Sequence, residues 1–445
     1  MMTDKDYGTA RYCLEAAHRH GASDARVTLT RSTEDLVATL NGEVDRVTRC
    51  ADSSISVALF VDGRYGTFST NKLGEADLDD FIARAADIVR MLAPDPCRRL
   101  PDAARCAESA KNGNELQTSD PSYADITPGD RIRTALDACA WGRSEGEGWT
   151  LESEEGEYSD SIYEMLILDT QGLECRHCET NCDYGVEVTI VDCGGNRYSG
   201  YYWHSTPYRA ELQWQDCGGR AVANAVAQIG SKPALSGRYN MVLDSEVASK
   251  AVTPLLNALA GYNLQQDNSF LCGALGSKVF PEGLTLVDLP HIPRNSCSKL
   301  FDSEGVATQE RTIIGRGVVQ TYFLNTYMAG KMGAEPTCEE AVRPKVEPWP
   351  KPGLDRGAIM AMCGEGILVT EFNGGNCNVA TGDFSYGVSG FLFKDGKIVR
   401  PVSEMLATGN FLTLWQGMVA AGEDARPCMS KLIPTLAFAN VDFSG

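Results

Sequence analysis

Apolar residues recur at helical spacing from Tyr7 to His20, which predicts a first helix that ends at Gly21. Alternating apolar and polar residues then predict strands at Ala25–Thr30, Asp35–Leu40, Val44–Arg49, Ile55–Val61 and Arg64–Ser69. Asn41-Gly42 and Asp62-Gly63 provide the positive-φ residues of tight hairpins. With a helix near residues 78–92 and a proline-rich loop, this pattern predicts an N-terminal α+β domain over residues 1–120.

A second unit begins at Thr127-Pro128, which is a typical helix start, and the predicted helix continues to about Arg143. Four further strands are predicted at Ile162–Leu168, Cys175–Asn181, Gly185–Val191 and Arg197–Trp203. A helix over Tyr208–Ile229 ends the unit. The sequence therefore predicts a central α+β domain over residues 121–233.

The remaining residues, 234–445, predict a β-rich C-terminal domain. Strand Tyr239–Leu243 is followed by a helix that is interrupted at Pro254 and continues through Leu255–Gly261. Hairpin turns are predicted at Gly315-Arg-Gly317 and at Asp395-Gly396, and a late helix at Phe411–Ala421 with Asn410 as its cap. The overall fold class is α+β, with mixed N-terminal and central segments before the β-rich domain.

One stretch of the C-terminal domain is unusually rich in glycine and amide side chains. Asn373–Asn378 and Thr381-Gly-Asp383 are not expected to pack as a regular element, because these residues favour sharp turns and close backbone approaches. From chemistry alone, tight turns in a β-rich domain are the favoured interpretation. A loop that lines a groove is the alternative.

The composition and charge of the chain disfavour some kinds of partner. The 445 residues have a formal net charge of −20 and no basic cluster longer than Arg98-Arg99, so a nucleic-acid partner is not expected. The sequence has no signal-peptide pattern and no apolar run of membrane-spanning length, so we expect a cytoplasmic protein without a membrane partner. The 16 cysteines are then expected to be free thiols.

An acidic run and a thiol-rich run are the first candidates for metal chemistry. Residues 144–160 carry seven carboxylates, which usually form a solvated face. Cys175, His177, Cys178 and Cys182 resemble half of a zinc site, but no second half follows, so buried thiols are the favoured interpretation. No His-Glu-x-x-His, Gly-x-Ser-x-Gly or phosphate-loop motif is present.

Carboxylates beside glycine form another candidate site. Phe301-Asp-Ser-Glu-Gly305 could supply general acid–base or metal chemistry, but an acidic turn that accepts hydrogen bonds from backbone amides is favoured. A less favoured possibility is an independent hydrolase that uses Asp383, Glu371 or Glu304.

Several stretches together resemble the TldD/PmbA family, known as modulators of DNA gyrase and as subunits of a cytoplasmic metalloprotease. The matching stretches are Phe301–Gln309, Glu365–Glu371, Ala380–Ser385 with Gly387 and Gly390, Pro401–Glu404 and Gly409-Asn410, with weaker similarity at Gly21–Asp24 and Gly63–Thr70. The resemblance spans most of the chain, and the C-terminal motifs are the specific ones.

The resemblance implies which branch of the family this chain is similar to. In the TldD-like branch a helix carries His-Glu-x-x-x-His, and a later cysteine completes the zinc site. Here the corresponding positions are Asn257, Ala258 and Tyr262, so both histidines and the glutamate are replaced. Cys428 lies near the expected cysteine, but its spacing to Pro434 is too short to transfer that role. The chain therefore resembles the metal-free PmbA/TldE branch.

The same resemblance implies partners and substrates. It implies no catalytic residue, metal or cofactor in this chain, zinc in a TldD-like catalytic partner, and unfolded or flexible peptides as substrates, including antitoxins and peptide precursors. The isolated chain could also form a homodimer. Asn373, Asn376, Asn378 and Asp383 are expected at a substrate groove or a subunit contact, with Asp383 more a turn-stabilising carboxylate than an acid–base group. The alternative is a regulatory protein that binds gyrase or toxin complexes without proteolysis.

Overall fold

The computed structural model describes residues 2–445, in which nine α-helices and seventeen strands alternate. The helices are α1 Asp4–Arg19, α2 Glu75–Arg90, α3 Pro128–Asp137, α4 Cys217–Ala227, α5 Ser249–Ala258, α6 Gly261–Gln265, α7 Thr326–Met332, α8 Arg356–Cys363 and α9 Phe411–Gln416. The first strands are β1 Asp24–Leu40, β2 Glu43–Val61, β3 Arg64–Thr70, β4 Glu145–Gly146, β5 Trp149–Asp169, β6 Glu174–Asp192, β7 Arg197–Thr206 and β8 Gly237–Leu243. The later strands are β9 Leu286–Asp288, β10 Arg311–Gly315, β11 Val318–Val319, β12 Pro344–Val346, β13 Glu365–Cys377, β14 Asp383–Lys394, β15 Lys397–Asn410, β16 Met418–Ala421 and β17 Leu436–Ser444.

The first large sheet has seven strands in the order β3-β2-β1-β5-β6-β7, with β4 paired to β5. Strands β1 and β5 pair antiparallel over their length, from Arg26 opposite Asp169 to Leu40 opposite Glu155. Strands from residues 1–120 and from residues 121–233 therefore lie side by side in one continuous sheet.

Helices α1 to α4 cover one face of this sheet. Val27 and Leu59 pack with Ile82 of α2 in one buried cluster, and Val186 packs with Ala221 of α4 in another. Alternate residues of each strand point to this face, because side chains on a strand alternate in direction. The opposite face carries mostly polar residues over the middle of strands β1, β5 and β6.

The C-terminal region contains a six-stranded sheet in the order β15-β14-β13-β8-β17-β16 and a smaller sheet of β9 to β12. Apolar layers cover both faces of the larger sheet. Leu243 packs in the cluster that contains Leu255 of α5, whereas its neighbour Val242 packs in the cluster that contains Ile359 of α8. The prediction of an α+β fold with a β-rich C-terminal region is confirmed. No helix in residues 2–445 is long and apolar enough to span a membrane.

The tight turns predicted from local sequence are confirmed. Asn41 and Gly42, and likewise Asp395 and Gly396, have positive φ and join neighbouring antiparallel strands. Asn410 caps α9, because its side-chain oxygen accepts a hydrogen bond from the Leu412 amide. These signals lie within a few residues, so they can be read without knowledge of the tertiary structure.

Several element boundaries were predicted wrongly. The two strands predicted over residues 25–40 form the single strand β1, because Arg31 to Glu34 pair with both neighbouring strands. The third helix ends at Asp137 rather than Arg143, and α4 begins at Cys217 after two short turns. Helix α9 ends at Gln416, and Met418–Ala421 is strand β16.

The acidic run at residues 144–160 is not a solvated face throughout. Most of it forms β5, whose alternation sends Glu154 and Asp160 toward the helices, where both are fully buried. Glu155 and Glu157 remain exposed on the opposite side. The prediction is therefore wrong for one side of the strand, because charge composition does not reveal which side a strand buries.

Candidate functional site

Strand β13 contains most of the glycine-rich stretch. It pairs with β14 as far as Cys377 opposite Phe384, with irregularities after Val369 and Phe372. The prediction that residues 373–377 would not join a regular element is therefore wrong. Gly375 explains why the strands can pair: its φ is +96°, and a Cβ there would lie 2.0 Å from the Ser385 carbonyl oxygen.

The other edge of β13 is only partly paired. Strand β8 pairs with residues 366–369, and the Asp244 amide then donates a hydrogen bond to the Val369 carbonyl before the chain turns toward α5. Across the described part of the chain, no strand pairs with residues 370–377 on this side. An unpaired strand edge exposes backbone donors and acceptors to which another extended chain can bond.

A groove of about 380 Å³ separates this free edge from helix α5. Its lining residues are Ser249, Lys250, Thr253, Pro254, Asn257, Gly375, Asn376, Cys377, Val379 and Tyr386. Ser249, Thr253 and Asn257 are four residues apart, and this spacing places them on one face of α5. Lys250, Asn257 and Asn376 are polar and exposed in this lining, so the groove can receive a hydrogen-bonding chain.

The three positions assigned to the degenerate zinc motif are divided between two helices. Asn257 lies in α5 and faces the groove, whereas Tyr262 lies in α6 and is 59% exposed. The prediction of one helix through residue 261 is wrong, since Ala260 is extended and the Gly261 amide donates to the Phe323 carbonyl. The Asn263 side chain closes the end of α5 by donating to the Asn257 carbonyl at 2.8 Å.

These residues do not fit a zinc ion. Zinc prefers imidazole, thiolate and carboxylate ligands held in a tetrahedron. Asn257 offers a neutral amide, Ala258 has no donor atom and is fully buried, and Tyr262 belongs to another helix. We therefore derive no metal-dependent step at this position.

The predicted amide residues have different surroundings. Asn376 lines the groove, whereas the Asn373 side chain donates to the Ser389 hydroxyl at 2.7 Å. The Asn378 side-chain oxygen accepts a hydrogen bond from the Ala380 amide and stabilises the turn before β14. Of these three, Asn376 is the one that the structure places in the groove with Asn257.

Asp383 stabilises a turn. Its carboxylate accepts hydrogen bonds from the Thr381 hydroxyl at 2.7 Å and from the Asn410 amide group at 2.9 Å. These bonds, from Asn410 first and then Thr381, lower the pKa of Asp383 below its usual value. The carboxylate therefore ties the start of β14 to the residue that caps α9.

The carboxylates of residues 301–305 also bind backbone amides, as the sequence predicts. Asp302 accepts from the amides of Glu304 and Val306, and Glu304 accepts from the Thr326 amide and hydroxyl. Burial, followed by the nearby Glu304 and Glu339 charges, raises the pKa of Asp302 to about 6. The Gly305 carbonyl accepts from the Ala107 amide, so this segment joins the C-terminal region to the preceding loop.

The thiol-rich run lies on strand β6. Cys175, Cys178 and Cys182 are all buried, and burial raises the pKa of both Cys175 and Cys182 to about 12. Cys175 packs beside Phe301, whereas Cys182 packs in the core beneath α4. Within residues 2–445, no group of three or more His, Cys, Asp or Glu side chains is arranged to hold a metal ion.

Several groove residues were missed at the sequence level. Ser249, Lys250 and Thr253 precede Asn257 on α5, and Tyr386 lies on the strand that pairs with β13. The spacing of four residues from Ser249 to Asn257 is a visible signal of a common helix face. Tyr386 has no such signal, because its position depends on the pairing of β13 with β14.

Solved structures and curated relatives match nearly the whole chain. The structure is similar to a protein from Bacteroides thetaiotaomicron described as a candidate modulator of DNA gyrase, with 37% identity, a TM-score of 0.94 and full coverage of both chains. It is also similar to TldE from Thermococcus kodakarensis, with 18% identity, a TM-score of 0.83 and coverage of 98% of this chain and 100% of that one. The latter similarity concerns the fold alone. Metalloprotease PmbA from Escherichia coli O157:H7 is 26% identical over 94% of this chain and 93% of its own length.

Two family models define the class more closely. Residues 236–445 match the PmbA/TldA metallopeptidase C-terminal domain, and residues 25–89 match domain 1 of the same group. The fold is thus that of a metallopeptidase-related protein. The chain belongs to the PmbA/TldD family, and the curated relative that matches 94% of its length is a PmbA protein.

Proposed function

We propose that this chain is a metal-free, non-catalytic subunit that pairs with a TldD-like zinc metalloprotease acting on unfolded or flexible peptides. The observation that carries the proposal is the set of side chains at the motif positions. Asn257, Ala258 and Tyr262 supply neither zinc ligands nor a carboxylate that could activate water. Hydrolysis is therefore assigned to the partner, and this chain forms part of the chamber that holds the substrate.

The free edge of β13 suggests how the chain holds a peptide. An extended peptide laid along residues 370–377 forms main-chain hydrogen bonds of the kind used in strand addition. Such bonds require a chain without its own secondary structure but place few demands on its sequence. This mode of binding suits substrates that are unfolded or flexible.

Co-purification with a TldD-like subunit and a peptidase assay test this proposal. We expect the isolated chain to hold no stoichiometric zinc by elemental analysis, and the mixture to cleave an unstructured peptide with the activity lost on chelation. Tightly held zinc in the isolated chain, or the absence of any complex, contradicts the proposal.

A groove variant tests the role of the β13 edge within that complex. Asn257→Trp places a bulky side chain at an exposed position of the groove, so we expect peptidase activity to fall about tenfold, equivalent to about 1.4 kcal/mol of lost substrate binding. Gln265→Trp is the matched control, because Gln265 is an exposed residue of α6 outside the groove. Equal activity of both variants contradicts strand addition at this edge.

A regulatory protein that binds gyrase or toxin complexes without proteolysis is the second candidate function. The description of the 37%-identical Bacteroides thetaiotaomicron protein favours it. The net charge of −20 is compatible with protein partners and unfavourable for direct DNA contact. This candidate predicts a change in the supercoiling activity of purified gyrase when the chain is added without a TldD-like subunit, and no peptide cleavage by the mixture.

A further inference from the structure

The face of the seven-stranded sheet opposite helices α1 to α4 contains a second, larger groove of about 590 Å³. Five carboxylates line it, and we call this region the acidic groove: Asp45, Glu155, Glu157, Asp183 and Glu187. Arg46 is the single cationic side chain in its lining, 3.9 Å from the Glu157 carboxylate. The groove therefore has a large excess of negative charge.

The register of the sheet places these carboxylates close to one another. Glu155 lies directly opposite Glu187, Glu157 lies opposite Gly185 in the next row on the same face, and Asp183 lies opposite Ser159 in the row after that. Like charges that face each other across paired strands destabilise a sheet. The arrangement consequently weakens the fold slightly, and a cationic ligand would relieve the repulsion.

The neighbouring carboxylates also affect the pKa of Asp183. Burial raises the pKa of Asp183, and the charges of Glu34 and Glu157 raise it further. In the described chain Asp183 has no cation within ion-pair distance; its carboxylate accepts a hydrogen bond from the Asn181 side chain. Asp183 is thus a partly buried carboxylate whose charge is not balanced.

The negative potential of the acidic groove extends to the C-terminal sheet. Burial and the nearby charge of Glu187 raise the pKa of Glu371, which lies on the unpaired part of β13.

Aromatic side chains complete the lining. Tyr201 is 53% exposed and Trp203 lies beside it on the same face of β7. The guanidinium of Arg426 already stands 4.9 Å from the Trp203 ring centre and donates to the Trp203 carbonyl. This end of the sheet therefore binds one cationic side chain of the protein itself, which is the type of contact that a lysine or arginine of a peptide would make.

We propose that the acidic groove binds extended peptide segments that carry lysine or arginine side chains, so that the preferred substrates are cationic unfolded peptides. This inference rests on the proposed function, because it names the class of unfolded peptide that the proposed complex would hold. Charge complementarity between the groove and the peptide supplies the preference.

Binding of three unstructured peptides of equal length, with Lys, Gln or Glu repeated in a Gly/Ser background, tests this inference by fluorescence anisotropy on the full chain. At low salt we expect the Lys peptide to bind about tenfold more tightly than the Gln peptide and the Glu peptide to bind most weakly, with smaller differences at roughly 0.15 M salt. The triple variant Glu155→Gln, Glu157→Gln, Glu187→Gln should lose most of the preference for Lys and keep its affinity for the Gln peptide.

A charge-matched variant separates the groove from the general acidity of the protein. Glu15→Gln, Asp80→Asn and Glu335→Gln remove the same charge at exposed positions outside the acidic groove, and this variant should bind like the wild type. Equal affinity of the wild type for Lys and Gln peptides, or equal losses in both triple variants, overturns the inference and leaves strand addition intact. Failure of all three peptides to bind overturns both the inference and the peptide-holding role on which it rests.

Discussion

The two sides of strand β5 place carboxylates in opposite environments. On the helix-covered side, Glu154 and Asp160 are fully buried. On the open side, Glu155 and Glu157 are exposed and line the acidic groove. Because successive side chains of a strand point to opposite sides, one acidic stretch of sequence supplies both buried carboxylates that belong to the core and exposed carboxylates that a ligand can reach.

The two buried carboxylates of β5, Asp160 and Glu154, differ in whether a cation balances their charge. Asp160 accepts two hydrogen bonds from Arg131, at 2.7 and 2.8 Å, and Asp35 lies 3.1 Å from the same guanidinium. Burial lowers the pKa of Arg131, but Asp160 and Asp35 outweigh it and raise the pKa. Glu154 has no cation within ion-pair distance among residues 2–445, and burial raises its pKa. The charge of Asp160 is therefore balanced, whereas Glu154 is stabilised in its neutral form.

Removal of the buried cation should have the largest effect. Arg131→Met leaves Asp160 and Asp35 buried without a positive partner, so we expect the free energy of unfolding to fall by about 3–5 kcal/mol. Urea unfolding followed by circular dichroism measures the change. Arg133→Met, on the same helix but with a side chain 66% exposed, should change the free energy by less than about 0.5 kcal/mol. Similar losses in both variants would contradict the structural role of the Arg131 pair.

Neutralisation of Glu154 should stabilise the protein in a pH-dependent way. Because burial raises the pKa of Glu154, the unfolded chain releases this proton at lower pH than the folded protein does, and the free energy of unfolding falls as pH rises from about 4.5 through the folded pKa. Glu154→Gln removes this loss. We expect the variant to exceed the wild type by about 1–3 kcal/mol at pH 8, which is the cost of a buried polar group without an adequate partner.

Urea unfolding at two pH values checks that expectation. The stabilisation by Glu154→Gln should shrink toward zero below pH 4.5, where both states of the wild type retain the proton. Glu152→Gln, an exposed neighbour paired with Arg197, is the control and should show no such gain at pH 8. A difference between Glu154→Gln and wild type that is independent of pH would contradict the interpretation.

Substitution on the open side should affect stability least. Glu155→Gln and Glu157→Gln together should change the free energy of unfolding by less than about 0.5 kcal/mol, or raise it slightly, because exposed like charges repel weakly. Urea unfolding at low and moderate salt measures this. A loss above about 1 kcal/mol would mean that these carboxylates contribute to the fold and not to a ligand surface alone.

The sequence predicts local features of this fold well and long-range ones poorly. The Asn41-Gly42 turn and the Asn410 cap depend on residues that are adjacent in the chain. By contrast, the burial of Glu154 depends on which neighbours β5 acquires and on which face the helices cover. No local pattern contains that information.

The candidate site also combines local features that the sequence predicts with long-range features that it does not. The family-like motifs indicate Asn257 and the amide-rich stretch, but the convergence of Asn257 with Asn376 requires the folded arrangement of α5 and β13. The acidic groove was missed because its members come from β2, β5 and β6, and because the carboxylates of β5 alternate with buried ones. Knowledge of the strand register is needed to separate the two sets.

The pairing of β1 with β5 also has a consequence for biosynthesis. Arg26 cannot meet its partner until Asp169 has been synthesised, and at translation rates of about 5–20 residues per second this delay is roughly 7–30 seconds. During that interval β1 can pair with β2 but has an open edge on its other side, and open strand edges promote association between chains. We therefore expect ribosome-bound chains that stop before residue 169 to recruit chaperones, and chains that extend beyond the first sheet to be released from them.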